Sequence, residues 1–367
     1  MNTDSKTYFE TQFKSTFNTK STAHGNRATG LLFCLLTLLK ETRSPKASHV
    51  LIPAITCSSL VHACIAAGLK PYIYNSNSSD LGADISNVME ILNSDGNKLL
   101  AIVGVHQFGN WQDFSEIFSV ANSFGIYTIE DCCQLLNPAL PDSGSNFDLY
   151  SFGYSKTLNA KSGAILGTKR VDFSKYIVNV NEMYKEVSCP ARIEVANKYK
   201  EDWYSFRAIN ETRDFSSIKR NFDKYKDFLL WGCEYPDYEN LLQKFVDLQK
   251  VNVLRRENSN FLTYHFSTLK NFKIHSDVSK YSIPWRYIIS VESISDARDF
   301  INLARSSNLK ISSWYVTLKH GFPDYLHNNF VLSDEISLLL LNFWINEEIE
   351  SKYLNDVVDL ARSLNNS

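Results

Sequence analysis

Short apolar runs rich in β-branched residues alternate with segments of helical period between about residues 24 and 170. The clearest apolar runs cover residues 49–53, 71–74, 99–104 and 126–130, with shorter ones at 149–152 and 164–167. Segments with the length and period of helices lie between them, at 27–40, 57–68, 84–94 and 113–124. Continuous apolar runs are typical of parallel strands that are buried on both faces. The pattern therefore predicts an α/β domain whose parallel sheet is covered by helices.

The pattern changes after about residue 170. Residues 171–240 contain many Lys, Asp, Asn and Tyr and little Gly, and they predict mostly helices and connections. A second apolar-rich unit predicts strands at 285–291 and 309–314 and helices at 295–307, 333–343 and 351–364. We therefore predict a large domain over residues 1–240 and a small C-terminal α+β domain over residues 241–367.

The composition is that of an ordinary globular protein, with 44% of the 367 residues hydrophobic and 21% charged. The 38 basic and 40 acidic side chains give a formal net charge of −2, so no overall field favours nucleic acid or an acidic membrane as a partner. The longest apolar runs, 31–39 and 336–345, have about half of the roughly 20 residues that a membrane-spanning helix needs. The first residues lack the apolar core of a signal peptide, and the seven cysteines are odd in number and scattered. We therefore predict a cytoplasmic protein with no membrane span and no metal site.

Four polar segments follow predicted strands or open a predicted helix, where ligands of open parallel sheets bind. Residues 23–30 place a Gly and small polar residues at a helix start, which can seat a phosphate. Glu130 and Asp131 end a very apolar strand, and alternation of side chains favours Asp131 as the functional one. Lys156 lies in a turn between hydroxyl residues, and His106 follows another strand. Each has an ordinary structural explanation as a helix cap, a salt bridge, a solvated lysine or a structural histidine.

Pyridoxal phosphate requires three groups at one edge of one sheet: a helix N-terminus that binds an anion, a buried carboxylate and a lysine. Its phosphate binds a helix N-terminus, its aldehyde forms a Schiff base with a lysine, and its pyridinium nitrogen pairs with an aspartate. The three segments together therefore predict a site for this cofactor.

The same segments carry a resemblance to a known family. Its proline-containing strand end is matched by residues 50–57, and its A-G-x-x-P strand entry by 67–71. Its V-H-x-x-G, I-E-D-x-x-Q and S-F-x-x-x-K segments are resembled by residues 105–109, 129–134 and 151–156, in that order. Residues from about 8 to 170 thus resemble the DegT/StrS-type nucleotide-sugar aminotransferases, which are pyridoxal-phosphate enzymes of fold type I. The resemblance implies a mostly parallel seven-stranded sheet in the large domain. It weakens after residue 170, so 171–240 is the divergent part of that domain.

The resemblance also implies roles for individual residues. Lys156 would be the Schiff-base lysine and the base that moves the substrate proton, Asp131 would pair with the ring nitrogen, and Gln134 would lie against the ring. The phosphate would bind to Asn26, Arg27 and Ser151. Cys57 occupies the position at which the family often stacks an aromatic side chain on the ring.

The chain departs from the family pattern at two further places. Ser162 replaces one glycine of the G-G pair that follows the lysine, and the G-Y-N-x-R segment leaves only a faint echo at 231–237. In the family a neighbouring subunit reaches the phosphate through that segment, and the resemblance implies a homodimer.

The resemblance implies an aminotransferase that moves an amino group from glutamate to a keto group of a nucleotide-linked deoxysugar, for a surface polysaccharide or a glycosylated product. Arg286 is a candidate, by residue type, for binding the carboxylate of the amino donor. Two alternatives stay open. The protein could act on another ketone or by another reaction such as dehydration, although family members that eliminate water have histidine in place of the lysine. It could also be a catalytically degenerate member with a binding or regulatory role.

Overall fold

The computed structural model describes residues 3–210, 221–276, 279–315, 317–322 and 331–365. Its large sheet has seven strands in the order β1-β7-β6-β5-β4-β2-β3. These strands are β1 (Ser21–Gly25), β2 (His49–Pro53), β3 (Lys70–Tyr74), β4 (Leu99–Val105), β5 (Tyr127–Asp131), β6 (Phe147–Ser151) and β7 (Ala164–Thr168). Neighbours from β3 to β6 run parallel, and β7 is antiparallel to both β6 and β1. The predicted fold class is confirmed.

The second sheet has four antiparallel strands in the order β10-β11-β9-β8. They are β8 (Phe272–Ile274), β9 (Tyr287–Val291), β10 (Ile311–Ser312) and β11 (Leu340–Phe343). The described helices are α1 (Thr3–Phe17), α2 (Ala28–Thr42), α3 (Ser59–Ala66), α4 (Ile85–Asp95), α5 (Ser115–Ser123), α6 (Ser174–Val187), α7 (Ile193–Asn210), α8 (Asn221–Trp231), α9 (Tyr238–Val246), α10 (Leu248–Phe266), α11 (Ile294–Ser306), α12 (Leu318–Gly321), α13 (Val331–Ser337) and α14 (Ser351–Asn365).

Helices cover both faces of the large sheet because its strands are apolar on both sides. Val50 and Ile52 of β2 pack in one core with α2 and α3, whereas Leu51 packs in another core with α4 and α5. Alternate side chains of a strand point to opposite faces, so one continuous apolar run serves both cores.

The N-terminal helix α1 covers a third core at the β6 side of the sheet. Its Phe9, Phe13 and Phe17 are buried and pack against Tyr150 and Phe152. The spacing of four residues places the three rings on one face of the helix. Helix α9 closes the same core, and a separate core lies between the small sheet and α10, α11 and α14. The domain boundary near residue 240 stays a prediction.

The structure corrects several predicted elements. The helix predicted over 333–343 is wrong, because α13 ends at Ser337 and residues 340–343 form β11 between β9 and β10. A short continuous apolar run fits a buried strand as well as a helix, and here pairing on both sides decides. The strand predicted over 309–314 is only Ile311–Ser312. Helix α1 and strands β1 and β8 were not predicted, and part of the helical segment 171–240, residues 211–220, lies outside the described residues.

In the part of the chain that the structure describes, no helix is both long enough and apolar enough to cross a membrane.

Candidate active site

A cavity of about 240 Å³ lies where the strands of the large sheet end. Strands β5 and β6 end there at Asp131 and Ser151, and β1 leads there into α2. All seven residues predicted for the cofactor site line this cavity, namely Asn26, Arg27, Cys57, Asp131, Gln134, Ser151 and Lys156. The fold thus brings together positions that are up to 130 residues apart in the sequence.

The N-terminus of α2 opens into the cavity. Arg27 is its N-cap in an extended conformation, and no side chain caps the helix. The first N–H groups of a helix have no carbonyl within the helix to bind, and the backbone dipoles give this end a partial positive charge. Ala28 and Thr29, the first two helical residues, line the cavity. This end of the cavity is therefore suited to a phosphate group.

Arg27 adds a cation at the same place. Its Nη1 donates a hydrogen bond to the carbonyl oxygen of Phe228 at 2.7 Å, and its guanidinium lies 5.0 Å from the centre of the Phe228 ring. Burial lowers the pKa of Arg27, as expected for a charge removed from water. Among the described residues it forms no ion pair, so an anionic ligand would supply the missing counter-charge.

Asp131 ends β5 with its side chain turned toward the cavity, and only 7% of it is exposed. Its Oδ1 accepts a hydrogen bond from the backbone N–H of Cys133 at 2.8 Å, which fixes the carboxylate. Burial raises the pKa of the Cys133 thiol, and the charge of Asp131 raises it further. The carboxylate is thus a fixed negative group that a protonated ring nitrogen can meet.

Gln134 follows Asp131 and is fixed by the neighbouring strand end. Its Oε1 accepts a hydrogen bond from the backbone N–H of Phe108 at 2.7 Å. Phe108 lies in the turn after β4 with a left-handed backbone, at φ 57°. The turn therefore orients the amide of Gln134 beside Asp131.

Lys156 lies in a turn within the loop that joins β6 to β7. The backbone N–H of Ser155 donates to Oδ1 of Asn159 at 3.0 Å, and the N–H of Lys156 donates to the carbonyl oxygen of Gly153 at 3.1 Å. Ser155 and Asn159 both have positive φ. Asparagine tolerates this conformation and caps turns with its side chain, which explains why the sequence folds into a turn here. The half-buried lysine lines the cavity from this turn.

Two residues that depart from the family pattern have defined contacts. The Sγ of Cys57 lies 3.2 Å from the hydroxyl of Ser59. The hydroxyl of Ser162 lies 2.6 Å from the carbonyl oxygen of Glu234 and 3.1 Å from that of Asn26. Ser162 thus connects the lysine loop to the entrance of α2 and to the segment after α8.

Sequence reasoning missed several residues of the cavity wall. Lys161, Lys200 and Glu234 line it, as do Gly232 and Cys233. Lys161 follows the S-F-x-x-x-K segment closely and could have been noticed, whereas Lys200 on α7 has no local signal. Residues 232–234 belong to the faint echo at 231–237, and the structure places them in the wall of their own chain's cavity.

Glu130 points to the opposite side of β5 from Asp131, as alternation predicts. Its Oε1 lies 2.9 Å from Nε2 of His106, and its Oε2 accepts a hydrogen bond from Ser143 at 2.7 Å. Nδ1 of His106 accepts from the N–H of Gln112, so Nε2 carries the proton. Burial raises the pKa of Glu130, but the hydrogen bonds from His106 and Ser143 bring it below its ordinary value.

This buried group includes a possible set of metal ligands. Ligand atoms of His106, Glu130 and Cys132 lie within 4.8 Å of one another. The histidine and the glutamate already bind each other and further protein groups, which is the usual state of a buried structural pair. The cluster does not line the cavity, and His106 is fully buried.

Arg286 is not among the residues that line the cavity. Its guanidinium lies 4.6 Å from the ring centre of Trp285 and 4.0 Å from that of Trp344, and 3% of the residue is exposed. Burial, together with the nearby charge of Arg255, lowers its pKa to about 9. The carboxylate-binding role of Arg286 stays a prediction.

The fold and the site define a class of protein. A mostly parallel seven-stranded sheet with a second small sheet is the architecture of pyridoxal-phosphate-dependent transferases of fold type I. The cavity fits this cofactor on three grounds. A helix end without a side-chain cap, next to an arginine that has no ion pair within the described part of the chain, suits its phosphate. A fixed buried carboxylate suits its ring nitrogen, and a turn lysine suits its aldehyde.

Comparison with known proteins finds a family match over the first part of the chain. Residues 2–179 match the model of the DegT/DnrJ/EryC1/StrS aminotransferase family, which consists of pyridoxal-phosphate-dependent sugar aminotransferases. The chain is 29% identical over 129 residues to a GDP-4-keto-6-deoxy-D-mannose 3-dehydratase from Escherichia coli O55:H7, covering 34% of this chain and 32% of that protein. It is 23% identical over 162 residues to a GDP-perosamine synthase from Vibrio cholerae, covering 43% and 42%.

Solved structures extend the likeness in fold to the whole chain. The aminotransferase TlmJ from Streptoalloteichus hindustanus superposes with a TM-score of 0.75 at 14% identity, covering 98% of this chain and 90% of that one. By sequence, the chain spans only about a third to two fifths of the two curated relatives. The family match over residues 2–179 includes Asp131, Ser151 and Lys156.

Proposed function

We propose that this protein is a pyridoxal-phosphate-dependent aminotransferase that moves an amino group from glutamate to a keto group of a nucleotide-linked deoxysugar. One observation carries the proposal. The uncapped N-terminus of α2, the fixed carboxylate of Asp131 and the turn lysine Lys156 line a single cavity at the end of the sheet. The names of the relatives support the substrate class, because they include a GDP-perosamine synthase and a dehydratase of a GDP-linked keto sugar.

The residues have separate tasks in this proposal. When bound, the cofactor supplies an aldehyde that takes up the donor's amino group and a ring that accepts electrons. Arg27, Asn26 and Ser151 hold its phosphate at the start of α2. Asp131 keeps the ring nitrogen protonated, because a fixed carboxylate stabilises the charged form of a neighbouring base. Lys156 would hold the cofactor through its amine and would serve as the base that moves the proton at the substrate carbon.

The neighbouring residues complete the surface against the ring. Gln134, whose Oε1 accepts a hydrogen bond from the backbone N–H of Phe108, would contact the ring near its oxygen substituent. Cys57 supplies a small thiol where many relatives have an aromatic ring, so stacking on the ring is weaker here or comes from another side chain. The homodimer and the cytoplasmic location stay predictions from the sequence.

An absorption titration of the purified protein tests the proposal. Added pyridoxal phosphate should give a band at about 410–420 nm, and excess glutamate should move it to about 330 nm. Lys156→Ala should remove the first band and leave the far-ultraviolet circular dichroism unchanged, because a half-buried turn lysine contributes little packing. The matched control is Lys161→Ala, a lysine of the same loop and the same cavity, which should keep the band. An unaltered band in Lys156→Ala would refute the assignment.

A substitution at Asp131 tests whether this carboxylate pairs with the ring nitrogen of the cofactor. Asp131→Asn keeps the size of the side chain and removes its charge, so we expect the half-reaction with glutamate to slow by at least about a hundredfold while the melting temperature changes by a few degrees at most. The control is Asp84→Asn, a carboxylate that caps α4 away from the cavity. Equal rates in wild type and Asp131→Asn would assign the ring nitrogen to another residue.

A dehydratase is the second candidate, because one relative with 29% identity is a GDP-4-keto-6-deoxy-D-mannose 3-dehydratase. Lys156 argues against it, because family members that eliminate water have histidine in place of the lysine. Mass spectrometry of the product separates the two reactions. A transaminase exchanges a keto oxygen for an amino group, whereas a dehydratase removes water. A protein that forms neither the band nor either product would be the degenerate binding member.

A further inference from the structure

Trp285 connects the small sheet to the turn that carries Lys156. The side chain precedes β9 and is 6% exposed. Its indole Nε1–H donates a hydrogen bond to the carbonyl oxygen of Ser155, the residue directly before the lysine. The Nζ of Lys156 lies 5.1 Å from the centre of the Trp285 ring, within the range of a cation–π contact. One side chain therefore contacts both the backbone of the turn and its amine.

Trp285 is itself held from several directions. Its backbone N–H donates to the carbonyl oxygen of Phe108 at 2.7 Å, and its own carbonyl oxygen accepts from Nη1 of Arg255 at 3.3 Å. Its ring is nearly parallel to those of Phe108 and Tyr315, with interplanar angles of 13° and 14°. These contacts fix the position of the indole ring. Its N–H therefore holds the carbonyl of Ser155, and with it the turn, in one place.

The same hydrogen bonds connect Trp285 to Gln134, the residue proposed to contact the cofactor ring. The N–H of Phe108 donates to Gln134 while the carbonyl oxygen of Phe108 accepts from Trp285. Gln134 and Lys156 lie on different loops of the large domain. Through Phe108 and Ser155, a single tryptophan fixes the distance between these two loops.

The turn has a need for such an anchor. Ser155 adopts φ 63°, a conformation that serine rarely takes, and Lys156 is only half-buried. The hydrogen bond to Asn159 stabilises the turn from within but does not fix its position relative to the cavity. A contact with another element supplies what a local turn cannot.

We propose that Trp285 is a positioning residue for Lys156, which holds the lysine turn through its indole N–H and covers the amine with its ring. The inference rests on the proposed function, in which Lys156 binds the cofactor. Ring and N–H act separately, so substitutions can remove one without the other. Phenylalanine keeps an aromatic face and loses the donor, and leucine loses both.

Trp344 provides a matched control. It is half-buried, and its ring contacts the guanidinium of Arg286, as the ring of Trp285 does. It has no contact with the turn of Lys156 among the described residues. Trp344→Phe therefore tests the loss of an indole in the same region without loss of the proposed anchor.

The first measurement uses the protein without cofactor. Lysines are methylated with formaldehyde and cyanoborohydride, and the labelling rate at Lys156 is read by mass spectrometry. Trp285→Leu should raise this rate about threefold to tenfold, the range expected when a cation–π contact and its covering ring are removed. Trp344→Phe should label Lys156 at the wild-type rate. An unchanged rate in Trp285→Leu, with its circular dichroism preserved, would overturn the covering role.

The second measurement is the affinity for pyridoxal phosphate, read from the band at about 410–420 nm. Trp285→Phe should weaken it about tenfold, which corresponds to about 1.4 kcal/mol and to the loss of one well-formed hydrogen bond. Wild-type affinity in Trp285→Phe would overturn the anchoring role. If the wild type itself gives no band, the proposed function fails, and the labelling of Lys156 in the apoprotein still decides the covering role. If Trp285→Leu does not fold, Trp285→Met, which also lacks the ring and the donor, is labelled in its place. An unchanged labelling rate in that variant together with wild-type affinity in Trp285→Phe would refute the whole inference.

Discussion

Gly109 allows the small sheet to dock onto the large one, and its substitution gives a sharp test of that contact. A Cβ at this position would lie 2.1 Å from the carbonyl oxygen of Ile283 and 2.5 Å from the backbone nitrogen of Trp285. Both atoms belong to the backbone and cannot rotate away. The residue also has φ +87°, which L-residues rarely adopt. Gly109→Ala should therefore separate residues 283–285 from the turn after β4.

The magnitude follows from the contacts that would be lost. The left-handed backbone costs alanine about 1–2 kcal/mol. The hydrogen bonds from Ile283 N–H to Gly109 and from Trp285 N–H to Phe108 are 3.1 Å and 2.7 Å long, and each contributes about 1 kcal/mol net, or up to about 3 when a buried group stays unpaired. The free energy of unfolding should thus fall by about 3–8 kcal/mol.

Gly144→Ala is the control, because Gly144 also has a positive φ but has no backbone atom close to the position of an added Cβ. Its φ is +79°, and the nearest atom to an added Cβ is the flexible end of Arg170 at 3.4 Å. We expect a loss of only about 1–2 kcal/mol. Urea unfolding followed by tryptophan emission compares both variants with the wild type. A difference between the two variants below about 0.5 kcal/mol would refute the reasoning, since backbone strain would then explain both.

Two further predictions concern buried polar groups. Tyr184→Phe removes the hydroxyl that accepts a hydrogen bond from the Asn26 N–H at 2.8 Å. The free energy of unfolding in urea should fall by about 1–3 kcal/mol, and the affinity for pyridoxal phosphate should weaken. An unchanged stability would contradict this prediction. Burial raises the pKa of Asp148 to about 7, despite the charge of Lys169 3.7 Å away. The folded state therefore holds this proton more tightly than the unfolded state, and the stability from Asp148 is full below about pH 4 and is lost as the pH rises to about 7. Asp148→Asn should flatten this decline, which is on the order of 4 kcal/mol at most, and identical pH profiles of unfolding for variant and wild type would contradict the prediction.

The parts of the site that sequence patterns predicted are those with local causes. Strands β2 and β4 are buried on both faces, so each leaves a continuous apolar run. Asp131 and Lys156 follow such runs directly, and the start of α2 is marked by small polar residues. Because parallel strands end at one edge, local marks were enough to predict that these residues meet.

The parts that were not predicted depend on contacts between distant segments. The run that contains β11 has the same apolar character as a helix, and only its pairing with β9 and β10 makes it a strand. The hydrogen bond from Trp285 to Ser155 joins residues 130 positions apart. Lys200 reaches the cavity through the packing of α7, and a lysine on a helix carries no mark of that position. Contacts of this kind leave no periodic pattern in the sequence.

Two departures of this chain from the family pattern are physically connected. Ser162 replaces a glycine after the lysine, and its hydroxyl lies 2.6 Å from the carbonyl oxygen of Glu234. Glu234 belongs to the altered segment 231–237, whose residues 232–234 line the cavity. A glycine at position 162 would offer no donor to that carbonyl, so the serine and the altered segment depend on each other. The substitution at 162 therefore fixes a wall of the cavity that this chain builds from its own residues.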